Sequence, residues 1–258
     1  MYRFFYYPDR EQYDTPHRAG LAYEPVYFNS PDGTRLSGWF IPAQGIEAPR
    51  DAKGTVIHLH GNAQNMTAHW SFAEWLPARG YNLFTFDYRG YGESEGQPEP
   101  QGIFEDAVAA LDCLRSRTDI DTSKLFVFGQ SLGGMIAIAA SGASPQGIRA
   151  VVAEAPFHSY SAVANDKLSG AGLQLDDSYT ATAFVAKIAP TPLLLIHGTR
   201  DAVVPYSHSV RLLAEAGEPK RLVTIGGGEH VDAMVEYIRG RKYQDLMADF
   251  FEAALASG

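Results

Sequence analysis

Cysteine is nearly missing. Cys113 stands alone among 258 residues, so no disulfide framework can form within the chain. It falls in "DAVAALDCLRSR", an apolar helical pattern, and is expected to pack rather than react. Long apolar runs are missing too: nothing approaches the roughly 18 residues that a membrane span needs. The opening "MYRFFYYPDR" is aromatic, but Pro8 and Asp9 interrupt it, and it lacks the apolar stretch of a secretory signal. Cytoplasmic localisation is the default expectation for the sequence as it stands, with a removed N-terminal anchor left open. No block of basic residues occurs and the formal net charge is −9. Nucleic acid, whose phosphates call for a basic patch, is therefore not an expected partner. The acidity reads as a soluble surface. Internal repeats and low-complexity tracts are absent. What is present is a hydrophobic content of 45%, enough for a sizeable core and too much for disorder.

The apolar runs come in a regular order. "EPVYFNS" and "TRLSGWFIP" flank the turn signal "PDG", which predicts a hairpin. Strands follow at 54–60, 81–88, 124–129, 148–156, 191–198 and 220–227. Helices are expected at 66–80, 101–117, 132–142, 206–217 and roughly 231–255. Strands that are apolar along their whole length are buried on both faces. Their alternation with helices implies right-handed crossovers and a mostly parallel sheet in one α/β domain over 1–258. Residues 157–190 break the rhythm, and an insertion of that length reads as a lid or binding element. The plainer alternative is a crossover helix with long flanking loops.

The pattern G-x-S-x-G occurs twice, around Ser131 in "FVFGQSLGGM" and around Ser94 in "GESEG". Context separates them. A nucleophile elbow needs a strand before the serine, a sharp turn at it, and a helix directly after it. Ser131 has all three: "LFVF", then Gly129 and Gly133, then "LGGMIAIAA". Ser94 sits in "RGYGESEGQPEP", a loop of glycine, proline and glutamate.

A serine nucleophile needs a base. Of eight histidines, His230 is singled out because it follows the last strand and "GGG", on a loop beside the strand ends. His60 and His197 read as structural residues at strand ends, and His158 and His208 have no special context. The base in turn needs an acid to fix its tautomer. Asp201, after the strand "LLLIHGTR", is the first choice and Asp87, after "LFTFD", the second. Asp232 is expected to face solvent in a first helical turn. The order Ser131, Asp201, His230 fits a G-x-S-x-G hydrolase and neither of the two other common triad orders. Oxyanion donors are expected at Leu132 N–H and in the loop "HGNAQN", with Asn62 first and Ala63 next.

Together "SPDGTRLSGWFIPA", "HLHGNAQNMTAH", "FDYRGYGESEG", "GQSLGGMIAIAAS", "APFHSY", "PLLLIHGTRDAVVP" and "GGGEHVD" resemble the α/β-hydrolase superfamily. Within it they resemble the BEM46-like serine hydrolases, which include ABHD13- and ABHD17-like proteins. The resemblance implies the α/β-hydrolase fold, an eight-stranded sheet with an N-terminal antiparallel hairpin and helices on both faces. It implies Ser131 as nucleophile, Asp201 as acid, His230 as base, and Asn62 and Leu132 as oxyanion donors. Asp87 and Ser94 become parts of a structural loop. Neither metal nor organic cofactor is implied. The expected partner is a small acyl substrate, cleaved as a carboxylic ester of small or medium acyl length. Thioesterase or lysophospholipase-like hydrolysis is the alternative, ahead of a peptidase or a non-catalytic binding module. Phe157, Tyr160, Leu168, Leu173, Leu175, Tyr179 and Phe184 are the candidate apolar lining of the lid, or else simply its packing onto the domain.

Overall fold

A computed structural model describes residues 2–168 and 172–257. Eight strands form the main sheet: β1 (Glu24–Asn29), β2 (Arg35–Ile41), β3 (Gly54–Leu59), β4 (Tyr81–Phe86), β5 (Leu125–Gln130), β6 (Ile148–Glu154), β7 (Leu193–Gly198) and β8 (Lys220–Ile225). Their order is β8-β7-β6-β5-β3-β4-β2-β1. The predicted hairpin β1–β2 is antiparallel and joins the sheet by an antiparallel pairing of β2 with β4. The pairs β3·β4, β6·β7 and β7·β8 are parallel. Strands β3, β4, β5 and β7 are buried at every position, in keeping with their nearly continuous apolar character. The chain gathers into two compact units, Met1–Val127 with Gln146–Arg149, and Phe128–Pro145 with Ala150–Gly258.

In the first unit, α1 (Met66–His69) is short and is followed by 3-10 turns at Trp70–Phe72 and Pro77–Arg79. The single helix expected over 66–80 is thus broken into pieces, and Gly80 closes them in a left-handed conformation. Helix α2 (Pro100–Arg115) starts at Glu99, whose carboxylate accepts the Gly102 N–H at 2.6 Å. Pro100 at the first helical position loses no bond there, because that N–H has no helical partner. Cys113 lies half-buried on α2, and burial pushes its thiol pKa up. A two-residue ladder between Tyr7–Pro8 and Ala63–Gln64 was not legible in the sequence.

In the second unit, α3 (Leu132–Ala143) is buried from Leu132 to Ser141. Residues 157–190 hold α4 (Tyr160–Lys167), α5 (Ala181–Phe184) and a turn at Val185–Lys187; Ser169, Gly170 and Ala171 lie outside the described residues. The predicted lining splits. Phe157 and Tyr160 are buried, Leu168 and Leu173 are exposed, and Leu175, Tyr179 and Phe184 are half-buried. Helix α5 packs on α3 where Gly142 leaves room: a Cβ there would stand 2.5 Å from the Phe184 carbonyl oxygen. Helix α6 (Ser207–Glu215) follows β7. The long helix expected over 231–255 is instead α7 (Glu236–Arg239) and α8 (Lys242–Ala256), parted by Gly240 at φ +62°. Among the described residues no helix is long and apolar enough to cross a membrane.

Candidate active site

Strand β5 ends at Gln130, α3 begins at Leu132, and Ser131 occupies the single residue between them. Its backbone sits at φ +55°, ψ −116°, a region that costs a residue bearing a Cβ about 1–3 kcal/mol and persists only when its surroundings hold it. The hold is visible: the Ser131 N–H donates to the Glu154 carbonyl at 2.9 Å, and its own carbonyl accepts the Met135 N–H at 3.1 Å. Gly129 is required by contact, since a Cβ there would lie 2.1 Å from the Gly133 carbonyl oxygen. Helix α3 starts directly behind the hydroxyl, and the first N–H groups of a helix, Leu132's included, have no carbonyl partner within it.

The loops after β7 and β8 are bonded to each other before either side chain is considered. Thr199 N–H donates to Ile225 O at 3.0 Å and Arg200 N–H to Gly228 O at 2.8 Å. Gly198 permits this approach, because a Cβ at that position would stand 2.3 Å from Gly228 O. Asp201 leaves one loop and His230 the other. His230 Nδ1 is 2.6 Å from Asp201 Oδ2, and His230 Nε2 is 3.0 Å from Ser131 Oγ. A proton on Nδ1 donated to the carboxylate leaves Nε2 free to accept from the serine hydroxyl. The Asp201 side chain is fully buried, and its Oδ1 accepts the Val203 and Val204 N–H groups, each at 2.8 Å. Burial works against its charge, but hydrogen bonds from His197 and His230 outweigh it. They hold the carboxyl well below the usual carboxylate range. The three side chains therefore form one chain of hydrogen bonds, able to pass a proton from the serine to the imidazole while the carboxylate steadies the charge formed.

Two neighbours touch the site in ways the sequence reading did not give. His197 is structural, as expected, but its Nε2 also lies 3.2 Å from Asp201 Oδ2 while its Nδ1 meets Ser209 Oγ at 2.7 Å. The i, i+4 spacing in "HGTRD" was the available signal. Glu154, buried at the end of β6, bonds both Gln130 and the Ala233 N–H, and no sequence spacing announces that. Asp232 corrects an expectation. It is buried, not solvent-facing, and lies outside any helix; its Oδ2 accepts the Glu229 N–H at 2.9 Å and pairs with Arg239. Nor are His158 and His208 without context. The His158 N–H donates to His208 Nδ1 at 2.9 Å, His208 Nε2 meets Asp166, and His158 Nε2 meets Glu215.

The remaining candidates lie in the first unit. Ser94 is fully buried; its hydroxyl donates to Asp87 O at 2.7 Å and accepts the Ser37 N–H at 3.0 Å. Asp87, the second choice of acid, accepts the Met66 N–H at 2.6 Å and faces His60 at 3.3 Å. Both are loop-building residues. Asn62 sits directly after the His60–Gly61 pair. Its carbonyl accepts from Tyr7 N–H at 2.9 Å and Tyr91 Oη–H at 2.8 Å, and its side chain donates to Phe5 O at 3.2 Å. The N-terminal aromatic segment thus braces this loop. Among the described residues no group of three His, Cys, Asp or Glu is placed to hold a metal ion.

Residues 50–176 match the family described as Hydrolase_4, serine aminopeptidase, S33. Uncharacterized protein YfhR of Escherichia coli (strain K12) is 45% identical over 254 residues, covering 98% of this chain and 87% of that protein. The alpha/beta hydrolase domain-containing protein WAV2 of Arabidopsis thaliana is 34% identical, covering 92% of this chain and 81% of WAV2. Among solved structures, the Pyrococcus furiosus esterase Pf2001 superposes with a TM-score of 0.78 at 22% identity, over 96% of this chain and 98% of the esterase. The strand order, the strained serine between strand and helix, and relatives spanning nearly the whole sequence lead to one statement: this chain belongs to the α/β-hydrolase superfamily.

Proposed function

We propose that the protein is a serine hydrolase that cleaves carboxylic esters of small or medium acyl length through an acyl-enzyme. The observation that carries this reading is the unbroken run Asp201–His230–Ser131 at 2.6 and 3.0 Å. His230 takes the Ser131 proton as the oxygen attacks the ester carbonyl, then returns it to the leaving alcohol. Water activated by His230 releases the acid and frees the serine. Leu132 N–H is a donor for the oxyanion, worth about 3 kcal/mol of barrier. The motifs in common with BEM46-like hydrolases support placing the chain in that group.

Residues 157–190 act as the cap in this reading. In support, Lys167 Nζ at the end of α4 donates to Ala202 O, beside Asp201, at 3.1 Å. The matched family's aminopeptidase description makes amide cleavage the second reading, since the same triad serves both. Labelling with a fluorophosphonate, then turnover of p-nitrophenyl esters of graded length beside a thioester and an aminoacyl amide, tests the proposal. Ester turnover with labelling confined to Ser131 supports it. An unlabelled protein that turns over no ester overturns it.

A further inference from the structure

Glu154 is a buried carboxyl that acyl transfer does not use. It makes three hydrogen bonds at once, two to backbone N–H groups and one to a side-chain amide. Its carbonyl accepts the Ser131 N–H at 2.9 Å. Its Oε2 accepts from Gln130 Nε2 at 2.7 Å, one residue before the serine. Its Oε1 accepts the Ala233 N–H at 2.8 Å, three residues past His230. The chain is strained at or close to these bonds: Ser131 lies at φ +55°, Ala155, next to Glu154, at +48°, and Val231, two residues before Ala233, at +48°. Left-handed backbone at a residue with a Cβ survives only where neighbours fix it, and Glu154 is a neighbour common to all three stretches.

We propose that Glu154 is a positioning residue, holding the elbow of Ser131 and the loop of His230 in register, and that its carboxylate form favours the positive charge His230 acquires in the reaction. The inference deepens the serine-hydrolase reading and rests on it. A carboxylate accepts N–H bonds about twice as strong as a neutral acceptor does. A negative charge close to the two loops also favours the imidazolium that His230 becomes. Burial, together with the like charges of Asp232 and Asp201, raises the Glu154 pKa to about 7, against the bonds from Gln130 and Ala233 that lower it. Of the charged groups on the surrounding loops, Asp201 is bonded to His197 and His230, and Asp232 is paired with Arg239. A pH series from 5.5 to 8.5 therefore spans its ionisation.

The test follows p-nitrophenyl acetate hydrolysis from pH 5.5 to 8.5 in the wild type, Glu154→Gln, Glu154→Ala and, as control, Ser131→Ala. Glu154→Gln can keep both bonds if the Gln130 amide turns over, but it cannot ionise. It is expected to lose about threefold in kcat at pH 5.5 and about thirtyfold at pH 8.5, with KM within about twofold. Glu154→Ala is expected to lose about a hundredfold throughout, and Gln to recover most of that only at low pH. A wild-type to Gln ratio that does not change with pH overturns the inference, even if the alanine variant does not fold. So does an alanine variant with full kcat. If Ser131→Ala turns over ester at the wild-type rate, the serine reading falls and this inference with it. An inactive Ser131→Ala beside a flat ratio removes only the role of Glu154.

Discussion

His230 Nε2 stands 3.0 Å from Ser131 Oγ, joining residues 99 positions apart in the chain. Nothing local brings them together; two strand ends and two braced loops do. Removing the hydroxyl in Ser131→Ala is expected to lower kcat by about a million-fold while leaving the melting temperature within a few degrees. Asp201→Asn, which disfavours the Nδ1–H tautomer, should lower kcat by about ten-thousand-fold with little change in KM. Steady-state kinetics on one ester check both, and a variant of either kind with near-normal kcat contradicts the assigned roles.

Gly198 and Gly228 make the second relationship that can be broken. A methyl at 198 would stand 2.3 Å from the Gly228 carbonyl oxygen, so Gly198→Ala must push the His230 loop away from the Asp201 loop. The expected cost is about 1–3 kcal/mol of stability. The loss of kcat should exceed tenfold, because a small misplacement of the base is costly to the chemistry. Urea unfolding and kinetics on the same sample would show it; an unaltered kcat would mean the loops tolerate the shift.

Stability should respond to pH through Glu154 in a definite direction. Its pKa is about 7 in the folded protein and about 4.3 in an unfolded chain. The folded state therefore keeps a proton that the unfolded state releases. Stability from this group is complete below the unfolded value and declines as pH rises through about 7, by about 3 kcal/mol in all. Glu154→Gln cannot suffer that decline. Its stability relative to wild type should improve by about that amount between pH 4.5 and 8, read from urea midpoints at both values. Equal differences at the two pH values would count against a carboxyl that charges in place.

His69 and His208 act the opposite way. Burial lowers the pKa of both, helped for His69 by nearby His60, and the His69 value falls to about 4. The folded protein leaves them neutral while the unfolded chain takes up protons below its ordinary histidine value. Stability should thus be lost as pH falls from about 6.5 towards 4. Replacing His208 by Gln should reduce that loss, as thermal melts at pH 7 and pH 4.5 would show. A melt difference identical to wild type would deny His208 a share.

The Asn62 loop depends on the N-terminal segment through backbone, because the Tyr7 N–H donates to Asn62 O while the Tyr7 side chain is exposed. Tyr7→Pro removes the donor, and should lower kcat by about fivefold to tenfold if Asn62 serves the oxyanion. Tyr7→Ala should change it by less than about twofold, since it keeps the N–H. Kinetics of the two variants side by side decide the point.

The α/β class, the hairpin and the eight strands were legible because burial on both faces writes an apolar run into each central strand. Ser131 was separable from Ser94 for a similar reason: strand, glycine and helix adjoin it in sequence, and the elbow is a local device. The two ends of the stretch 66–80 were legible, at Met66 and Gly80, but not the breaks inside it, nor the late start and the break of the helix expected over 231–255. Apolar residues recur on either side of each break, and the positive φ at Val231 and Gly240 is imposed by where the chain must go next. The sequence alone determined which residue types stand at strand ends. Only the tertiary structure decided that Asp201 meets both His197 and His230, that Asp232 turns inward to Arg239, and that Glu154 ties the serine's turn to the histidine's loop. The meeting of Asp201 with His230 and the tie made by Glu154 are contacts between distant segments, set by strand order and loop approach, and spacing along the chain carries no record of them; only the His197–Asp201 pair, four residues apart, had a local signal.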